Sequence, residues 1–201
     1  MIKLNMKFIL SCTLTLMVFT TGCSSIKSTN NNSSDKVQTI IGEGDIAEYF
    51  DNLSELKSKA SDIIEVSLIS NETIMIKDSP YTLSKAKLLS VEKGSLKVGD
   101  EVQLIEIGGR YKLNGKDKNG QEVELQFEGI PVMKPGEHYY LFVEKYLAPL
   151  SVDTYIPLGV YQGKFIVNKD GKVEQKVPTD RKRLKDYTVD EDKEIFKKNL
   201  K

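Results

Sequence analysis

The chain has 201 residues, with 29 basic and 29 acidic side chains, one histidine, two cysteines and no tryptophan. That length suits one domain with a proper core, and the balanced charge excludes a protein that holds nucleic acid through a basic footprint on the phosphate backbone. It equally excludes adhesion to anionic lipid by charge alone.

Lys3 and Lys7 precede an apolar run from Phe8 to Phe19, which ends in Thr20-Thr21-Gly22-Cys23. A basic start, a short apolar middle and small residues before a cysteine read as a secretion signal over residues 1–22. As a helix the run would reach only about 18 Å, short of the roughly 30 Å hydrocarbon core, so a membrane span is the weaker reading. Thr20–Cys23 resembles the bacterial lipobox, where cleavage falls just before a lipid-modified cysteine. Gly22 and Cys23 match that pattern, whereas Thr20 and Thr21 replace its usual Leu and Ala or Ser. The resemblance implies a mature chain that begins at Cys23, carries a diacylglycerol with palmitate-type acyl chains on its thiol and sits on the extracytoplasmic face of the cell membrane. Two acyl chains anchor stably where one does not. The Lys- and Asn-rich style points to a Gram-positive-type lipoprotein. With Cys12 lost in the leader and Cys23 acylated, no thiol remains for a disulfide, a nucleophile or a metal.

Residues 23–43 read as a tether, because Ser24–Asp35 is too polar to offset the entropy of ordering. Ile46, Phe50, Leu53, Leu56 and Ala60 then recur at three- and four-residue steps, which predicts a helix over Asp45–Ala60 with Asp45 as its cap. Alternation changes the period to two from Ile64, predicting strands on either side of a turn at Ser70-Asn71-Glu72. Further strands are expected over Tyr81–Glu92, Glu101–Ile107, Glu122–Phe127, Tyr139–Lys145 and Tyr155–Val167, the last broken near Gly163. Turns are placed at Gly94, Gly99-Asp100, Gly108-Gly109, Pro135-Gly136 and Asp170-Gly171. Short strands at this spacing favour a closed barrel or sandwich. Thr188-Val-Asp-Glu191 reads as a capping box that opens a terminal helix over residues 188–201, burying Val189, Ile195, Phe196 and Leu200. The fold expected is mainly β (α+β): a barrel of about five to seven strands over residues 44–187, with a leading helix packed on it and a short amphipathic helix at the end.

Asp62-Ile-Ile-Glu-Val-Ser-Leu, Tyr81-Thr82, Val91-Glu-Lys-Gly94, Lys97-Val-Gly-Asp100, Ile130-Pro-Val-Met-Lys-Pro-Gly-Glu137 and Tyr139-Tyr-Leu-Phe-Val143 stand in an order similar to a family of small secreted and lipid-anchored bacterial domains. Those domains in turn resemble the oligonucleotide/oligosaccharide-binding (OB) barrel of netrin and the tissue inhibitors of metalloproteinases. The resemblance spans Asp62–Val167 and implies an OB-like barrel. It does not carry over metalloproteinase inhibition, which uses a free N-terminal cysteine and many disulfides. Fold analogy alone names no ligand.

The catalytic search returns absences. His138 is the one histidine, and it reads as a turn or barrel-rim residue before a general base. A lone histidine builds no His-rich zinc site, and no Gly-x-Ser-x-Gly elbow is present. Neither cofactor nor metal is implied. Arg110 and Tyr111 are residue types favoured at binding hot spots, although the tip of an exposed hairpin would look the same. Tyr139, Tyr155 and Tyr161 either line a ligand groove or fill a core. With Arg110, Tyr111 and His138 they make the candidate ligand surface. The leading functional reading is a non-enzymatic binding or accessory module at the cell envelope, attached to membrane lipid through Cys23 and meeting an envelope protein or cell-wall polymer. The alternatives are a cell-wall hydrolase without a recognisable motif and a structural lipoprotein without a ligand.

Overall fold

The computed structural model describes residues 37–113, 120–147, 150 and 152–200; the leader, Cys23 and Ser24–Asp35 lie outside them. In chain order the elements are β1 (Gln38–Gly42), α1 (Leu53–Lys59), β2 (Asp62–Ile76), β3 (Ser79–Lys93), β4 (Glu101–Lys112), β5 (Glu122–Phe127), β6 (His138–Lys145), β7 (Thr154–Pro157), β8 (Lys164–Val167), β9 (Lys172–Glu174), β10 (Glu191–Asp192) and α2 (Lys193–Leu200). No helix among the described residues is long and apolar enough to cross a membrane.

Five strands close on themselves in the order β2-β3-β4-β7-β6-β2. Every pairing in that ring is antiparallel except β4 with β7, where Gln103 and Leu104 run parallel to Thr154 and Tyr155. The ring is mainly β and OB-like, as expected, but the sheet holds ten strands. The surplus comes from short pieces. β5 and β1 continue the sheet from the far end of β4, and β8, β9 and β10 continue it from β6.

Two cores share the ring's wall. Inward-pointing Ile64, Val66, Leu68, Ala86, Leu88, Val102, Leu104, Leu141 and Val143 fill the barrel, plugged by Met133. On the outside, Ile63, Tyr140, Phe142 and Phe165 are roofed by Leu53 and Leu56 of α1, by Leu184 and Tyr187, and by Phe196 and Leu200 of α2. Phe196 stacks at centroid distances of 5.3 Å on Tyr140 and 5.1 Å on Phe165. A strand covered on both faces loses its alternation, which is why Tyr139–Val143 is buried without interruption.

Several local expectations are corrected. The leading helix does not run from Asp45. It forms only over Leu53–Lys59, capped by Asn52, whose side chain accepts the Glu55 N–H at 2.8 Å. Upstream, the Gln162 amide takes both backbone groups of Phe50, accepting its N–H at 2.9 Å and donating to its carbonyl at 2.6 Å, and a helix would have needed those groups itself. Asn52→Ala should lower stability by about 1 kcal/mol in urea unfolding, the usual cost of a lost N-cap.

Ser70-Asn71-Glu72 is not a turn, since β2 passes through it with a bulge between Leu68 and Ser70. The hairpin turn is Lys77-Asp78, both left-handed at φ 46° and 66°, the two-residue geometry that matches strand twist. Gly108-Gly109 is also strand, paired with Gln126 and Leu125. The expected tether ends early, because Gln38–Gly42, rich in β-branched residues, pairs in parallel with β5. The last helix starts at Lys193, with Glu191 and Asp192 spent on β9 and the Asp192 carboxylate accepting the Glu194 N–H at 3.0 Å. Val189 and Ile195 are exposed, while Phe196 and Leu200 are buried. The inner face of α2 is partly ionic. Lys193 reaches the buried Glu65 carboxylate at 2.6 Å, and Lys197 reaches Glu92 at 3.2 Å.

Candidate functional site at the barrel mouth

Glu106 follows Val102 and Leu104 at two-residue steps on β4, so its carboxylate points into the barrel where a leucine would be expected. Lys164 enters from β8, and its ammonium meets Glu106 Oε2 at 2.5 Å with the two side chains only 5% and 9% exposed. The other carboxylate oxygen, Oε1, accepts the Met133 N–H at 2.6 Å. The ion pair thereby pins the segment Ile130–Glu137 across the barrel mouth. Asn71 Nδ2 donates to the Met133 carbonyl at 2.6 Å, Gly136 N–H to the Leu68 carbonyl at 2.9 Å and Leu68 N–H to the Glu137 carbonyl at 3.0 Å. Glu137 Oε2 accepts both the Lys134 N–H at 2.9 Å and the Tyr139 hydroxyl at 2.6 Å. Buried groups this fully hydrogen-bonded hold one geometry.

The crossing segment borders two spaces, and Val132 and Lys134 line both. The smaller, about 40 Å³, is walled by Tyr139, Tyr161, Lys164 and Ile166 and has room for little more than a water. The larger is an open groove of about 360 Å³ between the extended ends of β2, β3 and β4 and the Val132–Pro135 stretch. Its floor depends on Gly109, where a Cβ would stand 2.3 Å from Thr82 Oγ1 and 2.9 Å from Thr73 Oγ1. A glycine inside a strand often marks such a close approach.

The sequence candidates scatter over this architecture. Arg110 is on the wall of the larger groove, 62% exposed, with its Nε 3.6 Å from the Glu124 carboxylate. Tyr111, one residue on and across from Val123, is half-buried outside the groove. His138 is exposed at the start of β6, between Ser67 and Val167 on the flanking strands. Tyr139 belongs to the barrel core, and burial first, then the Glu137 carboxylate, hold its hydroxyl well above the ordinary tyrosine range. Tyr155 packs half-buried against that core, with its hydroxyl also raised by burial. Tyr161 is 1% exposed on the wall of the smaller space, again raised by burial. The structure thus brings Tyr139 and Tyr161 together and leaves Tyr111, His138 and Tyr155 apart from both spaces. Cys23 lies outside the described residues. Sequence reasoning missed Glu106, Lys164, Lys134 and Thr73. Of these only Glu106 left a signal, a carboxylate in the inward register of an apolar strand.

Fold and site together define a small OB-like β-barrel with a rigid polar plug and a groove at its mouth. No protein-family model and no curated protein matches the chain.

Proposed function

We propose that this chain is a lipid-anchored, extracytoplasmic binding module of the cell envelope, acting without catalysis. The groove beside Arg110 and Lys134 carries the reading: it is open, preformed and within the size range of ligand sites. The leader and Thr20–Cys23 supply the address, and the polar stretch Ser24–Asp35 supplies reach from the membrane. In the crossing segment the two carboxylates are already engaged, Glu106 with the Lys164 ammonium and Glu137 with the Tyr139 hydroxyl, which suits holding a shape better than moving a proton.

The test is retention of envelope material on the full-length protein immobilised in detergent. Wild type should retain a component above background, and Thr73→Trp, which fills the groove from a partly exposed strand position, should release it without lowering the melting temperature. Equal retention by Thr73→Trp would move binding elsewhere. No retention by either protein would sink the reading.

A further inference from the structure

The occupant of the groove follows from what its walls leave unpaired, an argument that rests on the binding-module reading. Three polar atoms are already spent: Asn71 Nδ2 on the Met133 carbonyl at 2.6 Å, the Thr82 hydroxyl on the Gly108 carbonyl at 2.8 Å, and Glu124 Oε1 on the Gln126 amide at 3.1 Å. Two cations are not. Arg110, its side chain 62% exposed, has only a long contact with Glu124 at 3.6 Å, and a pair with one partner so exposed contributes little. Lys134 is exposed and pairs with no carboxylate among the described residues. They reach one groove from different elements, β4 and the crossing segment. A guanidinium and an ammonium converging on one space select an oxyanion.

The remaining wall narrows the class. If Arg110 turns to an oxyanion, Oε2 of Glu124, whose side chain is 14% exposed, becomes an acceptor for a hydroxyl, while Oε1 keeps the Gln126 amide at 3.1 Å. Thr73 offers a hydroxyl on the same wall, and Val132 and Pro135 give aliphatic surface. No aromatic ring among the described residues lines the groove, so they offer no platform on which bases of a single-stranded nucleic acid stack. We infer that the groove binds one repeat of an anionic polyhydroxylated chain, a polyol or sugar polymer bearing a phosphodiester or a carboxylate on each unit.

Full-length protein in detergent, titrated into fluorescently labelled poly(glycerol phosphate), polygalacturonate, dextran and a single-stranded oligonucleotide, tests this by anisotropy. At least one of the two anionic polyols should bind, and which one does separates phosphodiester from carboxylate recognition. Dextran should not bind. Arg110→Ala and Lys134→Ala, both on exposed side chains, should each weaken binding about tenfold, the scale of one charge-assisted hydrogen bond, and raised salt should weaken it further. Dextran or the oligonucleotide binding as tightly, or indifference to both substitutions, overturns the assignment. If no probe binds while Thr73→Trp still releases envelope material, the ligand class is wrong and the binding module survives. If wild type retains nothing from the envelope, the module reading falls as well.

Discussion

Lys164→Met is expected to lower unfolding stability by about 3–5 kcal/mol, because it leaves the Glu106 carboxylate buried without its cation. Only the Met133 N–H would still face that carboxylate. A lone buried charge is far costlier than the pair. The partner substitution separates the cost of breaking the pair from the worth of having it. In Lys164→Met/Glu106→Leu both charges are gone and the volume is kept, so most of the lost stability should return. Urea midpoints of wild type, both single variants and the double variant complete the cycle. A loss below about 1 kcal/mol for Lys164→Met would mean the pair is solvated and does not pin the crossing segment. The double variant should also lose shape at the mouth, since Met133 would no longer be held by Glu106.

Raising the pH should unfold the protein abruptly between about pH 10 and pH 11. Four tyrosines keep their protons in the folded state far longer than in the unfolded chain. Burial pushes Tyr187 up to about 12, and it holds Tyr139, Tyr140 and Tyr161 higher still, with Glu137 adding to the effect at Tyr139 and Glu65 at Tyr140. Their folded-state values are raised, so their contribution is intact below the ordinary tyrosine value and is lost as pH rises past it. Above that point the unfolded chain binds fewer protons than the native one, and stability falls with pH. Each such tyrosine costs up to about 1.4 kcal/mol per pH unit, and four together reach roughly 5 kcal/mol, the scale of a small domain's whole stability. Tyrosinate absorbance should therefore rise in one step that coincides with loss of the β-sheet circular dichroism signal. A smooth titration of all nine tyrosines with the sheet signal unchanged would show that these rings are not buried as described.

The barrel was legible where one face of a strand is covered and the other is wet. Along β3 the inward Ala86 and Leu88 stand between exposed Lys85, Lys87 and Leu89, and the strand, Ser79–Lys93, contains the one expected over Tyr81–Glu92. It was illegible where tertiary contacts overrode local preference. Residues 45–51 carry a helical period, yet Gln162, more than a hundred positions away, takes the Phe50 backbone groups. Ser70-Asn71-Glu72 has turn composition, but β2 pairs straight through it with β3, the bulge falling just before it between Leu68 and Ser70 and the tight turn on Lys77-Asp78. Of the site, Arg110 was found from its residue type, whereas Lys134 looked like one lysine among many. Only the packing of the crossing segment brings Lys134 to the groove that Arg110 lines, and no spacing in the sequence records it.

Metabolic labelling with radiolabelled palmitate, followed by membrane fractionation, compares wild type with Cys23→Ala. Label is expected in wild type and none in the variant, with release of the variant from the membrane fraction. Unlabelled wild type, or a Cys23→Ala protein that stays firmly in the membrane, would contradict the lipid anchor.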